Sequence, residues 1–173
     1  MKNLRSIALL AAGSAIGLKF ADVDQALPWL VHRSILTHSF FACLLLSLWA
    51  ANARPLTTQD PRWFAIGFAL ATSVHLCFDL FPRSWYKHAL ISIPFYGWTS
   101  PLFSWLWIAG SAILCCYCAL LLMRSRGDRL IASGALLASY AFAASAEQRI
   151  AVPSLIALAI STFIALVLSH KRE

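Results

Sequence analysis

Apolar runs almost long enough to cross a bilayer dominate this chain, and they leave it few ways to fold. A helix needs about 20 such residues to span the hydrocarbon core, where its backbone must satisfy its own hydrogen bonds. Six stretches approach that length: about Leu4 to Phe20, Leu36 to Ala53, Pro61 to Phe81, Pro101 to Met123, Leu130 to Ala146, and Pro153 to Leu168. Asp60-Pro61 and Ser100-Pro101 are start signals, each a capping side chain followed by proline at the first helical position. Arg54-Pro55 and Pro82 end the second and third stretches. The fifth is the shortest, so five spans are the alternative to six. The expectation is an all-α, polytopic membrane helix bundle forming one domain over residues 1–173. Lys2 and Arg5 ahead of the first run also fit a signal peptide, but the further spans behind it favour a retained helix.

Composition agrees. The chain is 60% hydrophobic and only 12% charged, whereas a soluble domain is about a quarter charged. Its net charge of +7 comes from 14 Lys and Arg scattered singly or in pairs between apolar segments. That pattern sets membrane topology and does not build a nucleic-acid face. With the N-terminus inside, the inner side collects Lys2, Arg5, Arg54, Arg62, Arg124, Arg126, Arg129, Lys171 and Arg172. The outer side has Lys19, Arg33, Arg83, Lys87 and Arg149, so both termini are expected in the cytoplasm. Cys43, Cys77, Cys115, Cys116 and Cys118 all fall within apolar stretches and read as small helix-interface residues.

Three polar clusters interrupt this background: Asp22-x-Asp24, His32-Arg33-x3-Thr37-His38-Ser39, and His75-x3-Asp79. They hold three of the seven acidic residues and three of the five histidines. Carboxylates and imidazoles beside a bilayer are costly, and they are the side chains that bind divalent metals and move protons. Threading the chain through the membrane places the end of helix one, the start of helix two and the end of helix three at one level. All three clusters meet there, on the outer face. Asp22, Asp24 and Asp79 stand at the negative ends of helix dipoles, which a cation would offset. His38 is expected to open a helix, whose positive end favours neutral imidazole. A single metal site built from 20–39 and 75–79 follows, with ligands among Asp22, Asp24, His32, His38, His75 and Asp79. No sulfur is offered, so the divalent ion is zinc, manganese or iron.

At these residues the chain resembles a bacterial family of membrane-bound, metal-dependent hydrolases, also described as LexA-binding and inner-membrane-associated. The resemblance covers about residues 10–82 and rests on Ala21-Asp22-Val23-Asp24, on His32-Arg33-Ser34-Ile35-Leu36-Thr37-His38-Ser39, and on His75-Leu76-Cys77-Phe78-Asp79. Ala21 replaces a usual proline, and the His32-to-His38 interval is one residue longer than the family's. The resemblance implies a multi-pass protein of the bacterial inner membrane and a hydrolytic activity.

The corresponding chemistry is metal-assisted hydrolysis, with Asp24 as base for the water and Arg33 as a phosphate clamp. Thr37 and Ser39 would orient the histidines or simply begin the helix. Arg83 and Lys87 lie beside Trp85, Tyr86, Tyr96 and Trp98, in a segment over 82–99 that reads as an interfacial loop or flap. They suit a lipid phosphate, so the expected partner is a membrane lipid and the substrate a phosphoester or lipid-linked molecule. Two non-enzymatic readings compete: a scaffold or interaction protein, and a metal-binding transporter or sensor. A transporter calls for charged groups deep in the bilayer, and helices four to six carry none at mid-span.

Overall fold

Glycine spacing on the first helix sets how closely the bundle's two central helices approach. The computed structural model describes residues 2–53, 61–81 and 89–170. Helix α1 spans Lys2–Phe20 and continues as a tight 3-10 turn over Ala21–Ala26. The later helices are α2 (Phe41–Asn52), α3 (Arg62–Asp79), α4 (Pro101–Leu122), α5 (Arg126–Ala146) and α6 (Ala151–His170). Gly13 and Gly17, one turn apart on α1, lie flat on α3. A Cβ on Gly13 would stand 2.1 Å from the Phe64 carbonyl oxygen, and one on Gly17 would stand 2.4 Å from that of Phe68. Only glycine admits such an approach, the familiar use of a small-x3-small motif between membrane helices.

Cross-links between helices give their directions. Ser14 Oγ donates to the Gly67 carbonyl, Thr72 Oγ1 to that of Gly17, and His75 Nδ1 lies 2.9 Å from that of Leu18. Partners rise together along both chains, so α1 and α3 are parallel. Ser73 Oγ donates to Ala112 and Arg62 to Leu122, so α4 runs antiparallel to α3. Tyr140 Oη reaches the Ala151 carbonyl across the sharp connection from α5 to α6. Thus α1, α3 and α5 run toward one end of the bundle, and α2, α4 and α6 run away from it.

The helices are not equivalent. Among the described residues, four segments are long and apolar enough to cross a membrane: Leu4–Ala26, Pro101–Leu122, Arg126–Ala146 and Gln148–His170. The α2 helix has 12 residues, about 18 Å of rise against a hydrocarbon core of about 30 Å. The α3 helix packs against α1, α2, α4, α5 and α6 and is buried along nearly its whole length. Encased by protein, it can carry Arg62, Thr72, Ser73, His75 and Asp79, which lipid would not tolerate. The sequence-based picture of six like spans therefore coarsens to a helical bundle with four such helices around a buried one.

Start signals behave unevenly. Ser100 Oγ accepts from the Phe103 amide, with Pro101 first in α4 as expected. Asp60 lies outside the described residues, and Pro61 directly precedes α3. The α5 helix begins at Arg126 and not near Leu130, because Ser125 and Asp128 cap it: Ser125 Oγ accepts from the Asp128 amide. All five cysteines are buried and free, and Cys115 Sγ sits 3.2 Å from Cys43 Sγ where α4 meets α2.

Of the expected interfacial flap, residues 82–88 lie outside the described residues. The remainder is a hairpin, β1 (Ser92–Ile93) against β2 (Gly97–Trp98), closed through Pro94 and Phe95. Phe95 sits at φ 66°, a left-handed position that a large side chain rarely takes. Phe95 and Tyr96 are exposed at the tip.

Candidate metal centre

The segment between α1 and α2 wraps over the ends of α1 and α3. Asp24 organises it. Its fully buried carboxylate accepts from the Ser34 amide and from Thr37 Oγ1, both at 2.9 Å through Oδ2. Arg33 takes a left-handed φ of 62°, which reverses the chain so that Ser34 faces Asp24. The hairpin fastens the other side: Ser92 donates to the Arg33 carbonyl, and Ile35 donates back to Ser92. Trp107 Nε1 of α4 donates to the His38 carbonyl at 3.0 Å. A helix begun at Leu36 would offer the carbonyls of Leu36 and His38 to residues 40 and 42, but Ser39 Oγ and Trp107 engage them. The α2 helix begins at Phe41.

Seven ionisable side chains gather on this frame. His38 Nε2 lies 3.0 Å from Asp79 Oδ2, and His75 Nε2 lies 3.1 Å from the same oxygen. Asp22 Oδ1 is 3.9 Å from His75 Nε2. Asp24 Oδ2 is 3.3 Å from His38 Nδ1, and Asp24 Oδ1 is 3.4 Å from His32 Nδ1. Arg33 Nη2 points inward to Asp79 Oδ1 at 3.4 Å. Two sets meet the geometric needs of a metal, Asp24 with His32 and His38, and His38 with His75 and Asp79.

Hydrogen bonding separates the two sets. His75 Nδ1 faces a carbonyl, which only accepts, so that nitrogen carries a proton, and in the neutral ring Nε2 then holds the lone pair. His38 Nδ1 faces Asp24 and Thr37 Oγ1 in the same way. A carboxylate or carbonyl behind each imidazole is the usual arrangement behind a metal-binding histidine. Meanwhile, among the described residues, His38 Nε2 and Asp79 Oδ2 are buried without a hydrogen-bond partner, despite their 3.0 Å separation. Two ligands about 2.1 Å from one ion stand about 3.0 Å apart at a right angle and about 3.4 Å apart at a tetrahedral one. The two observed separations onto Asp79 Oδ2 match the former. The donor set of His38, His75 and Asp79, with Asp22 beside it, thus fits a divalent cation of mixed N and O preference.

The charge state of His38 differs from expectation. Because α2 starts at Phe41, three residues beyond His38, the ring does not stand in its first turn. Burial disfavours its charge, but the carboxylates of Asp24 and Asp79 on either side of the ring outweigh that and raise its pKa to about 9. A proton and a metal ion therefore compete for His38 Nε2.

Several contributors carried little signal in the sequence. Gln25 Nε2 donates to Asp22 Oδ1 at 2.9 Å and lies 3.3 Å from His32 Nδ1. The Leu18 carbonyl and the Ser34 amide are backbone groups, which no side-chain motif records. Thr37 touches both His38 and Asp24, whereas Ser39 Oγ bonds to Leu36 and Phe41 in the turn entering α2. Arg83 and Lys87, expected at a substrate headgroup, lie outside the described residues. A cavity of about 110 Å³ opens beside Asp22 and His75 and is also lined by Lys19 and Glu147.

No family model, no curated protein and no solved structure matches this chain.

Proposed function

We propose that this protein is a membrane-embedded, metal-dependent hydrolase acting on a phosphoester of a lipid or lipid-linked molecule. The observation that carries this reading is the meeting of His38 Nε2, His75 Nε2 and Asp79 Oδ2, with two of these atoms buried and lacking hydrogen bonds. When bound there, a divalent cation acidifies a water toward a pKa of about 7 and polarises a phosphoryl oxygen.

The protein's own groups divide the remaining work. His38, His75 and Asp79 hold the ion, and Asp22 completes the set or accepts the water's proton. Asp24, consumed by Ser34, Thr37 and His38, moves from the ligand and base role to orienting His38. Arg33 steadies Asp79 and places positive charge beside an incoming phosphate. His32, half exposed, stands at the outer edge. The cavity beside Asp22 admits water, since about 30 Å³ serves each molecule.

The membrane assignment belongs to the same proposal. Arg5, Arg62, Arg124, Arg126 and Arg129 lie at the end away from the site; Lys19, Arg33 and Arg149 lie at the site end. By the positive-inside rule, the site faces outward across a bacterial inner membrane and both termini are cytoplasmic.

A second reading rests on the raised pKa of His38: a protonated ring between Asp24 and Asp79 satisfies both carboxylates without a metal. The polar cluster is then structural and the protein a scaffold. Elemental analysis of detergent-purified wild type separates the two, alongside His75→Ala and Asp79→Ala. The hydrolase reading expects close to one zinc, manganese or iron per chain in wild type and less than a tenth of that in either variant. Hydrolysis of phosphatidic acid should fall in parallel. Wild type without stoichiometric metal would leave only the scaffold, and metal without hydrolysis would indicate a sensor or transporter.

A further inference from the structure

Beyond the ion site, the bundle carries an apolar trough of about 470 Å³ between α1 and α5, floored by Ala11, Ser14, Gly134 and Ala138. No charged side chain lines it. Both helices belong to the segments long and apolar enough to cross a membrane. At one end the trough reaches Leu18 and Phe142, and these same residues line the smaller cavity that leads to Lys19, Asp22 and His75. The two spaces therefore run in series, hydrocarbon-like first, then an ammonium group, then the ion ligands. From Ile7 to Leu18 the trough follows about 16 Å of helix. One leaflet of hydrocarbon is about 15 Å deep, half the core thickness.

We infer that this trough seats one acyl tail of a phosphate-headed membrane lipid, whose headgroup enters the ion site past Lys19. The inference rests on the hydrolase reading and specifies its substrate and its route, laterally from the bilayer. With the ion bound, charge order selects the occupant, because the cation and Lys19 together outweigh Asp22 and Glu147, the two carboxylates that line the smaller cavity. A neighbouring apolar helix would fill the trough but leave Lys19 and the cavity beyond it unmatched, whereas an anionic headgroup on a single tail answers all three regions. Gly134 keeps the floor open, because a Cβ there meets nothing within 4 Å.

The test uses full-length protein in vesicles of phosphatidylcholine with phosphatidic acid, a trace of the latter carrying a photoreactive diazirine on its acyl chain. After irradiation, mass spectrometry should find adducts concentrated on residues 7–18 and 131–142. Gly134→Leu fills the trough without a clash and should cut that yield at least about five-fold, a loss of more than about 1 kcal/mol of binding at tenfold per 1.4 kcal/mol. Gly110→Leu, on α4 with equally open space, should leave the yield unchanged. Adducts spread evenly over α4 and α6, an unchanged yield in Gly134→Leu, or cross-linking of two copies through this face would overturn the inference. Metal content in the same samples keeps the two claims apart. Adducts in the trough of a metal-free wild type would retain the lipid seat and remove the hydrolase; a metal-loaded protein labelled evenly would do the reverse.

Discussion

At the scale of single residues, the site depends on what stands behind each imidazole. His38 and His75 are held by Asp24 with Thr37 and by the Leu18 carbonyl, respectively, and both present Nε2 to Asp79. Replacing Asp24 by Asn keeps its volume but exchanges a carboxylate oxygen for an amide that can donate to the wrong partner. Asp24→Asn is expected to weaken metal affinity about 10–100-fold, the usual effect of losing such a partner. His32→Ala, at the half-exposed edge, should change it less than about three-fold on the same argument. Competition dialysis against a fluorescent chelator measures both. Equal losses in the two variants would mean that the ion sits in the Asp24, His32 and His38 set. The residue types and their three clusters were legible in the sequence, because costly polar groups stand out against an apolar background. The division of labour was not. It turns on Oδ1 against Oδ2 and Nδ1 against Nε2, and those choices follow from bonds to backbone groups that every residue possesses.

At the scale of elements, the close contact of α1 and α3 sets the distance between Asp22 and His75. Gly17→Val would drive its side chain into the Phe68 carbonyl, where even a Cβ would stand 2.4 Å away. Overpacking of this kind costs about 1–3 kcal/mol and is relieved by the helices moving apart. The expected outcome is a lower melting temperature in detergent together with loss of bound metal; a variant that melts earlier but keeps its metal would show the two ends to be independent. The Gly13-x3-Gly17 spacing is visible in the sequence, as is the Ser125-x2-Asp128 cap that starts α5 early. Other element-level features were not. The late start of α2 follows from the His38 carbonyl accepting from Trp107, separated from it by two helices, and from the Leu36 carbonyl accepting from Ser39 Oγ. Local propensity favours helix at Leu36; a tertiary bond overrides it.

At the scale of the whole molecule, alternating helix directions put every cluster at one end and most of the described basic side chains at the other. Orientation can be read by labelling intact cells with an impermeant maleimide, since the five native cysteines are buried. Gln148→Cys, at the exposed site end, should label at once, and Arg126→Cys only after permeabilisation. The reverse pattern would place the site in the cytoplasm. Hydrophobic run length by itself determined the class of fold, because unbroken apolar runs of membrane-crossing length suit a helix, which satisfies its own backbone, and lack the alternation of a barrel strand. The order of the clusters along alternating runs also determined that they share a level, since the side on which each helix ends depends only on how many precede it. Only the tertiary structure decided that α3 is the encased centre and α2 too short to match the others. It alone also decided which nitrogen and oxygen atoms meet. Those outcomes depend on contacts between segments far apart in the chain, and a linear pattern holds no distance between them.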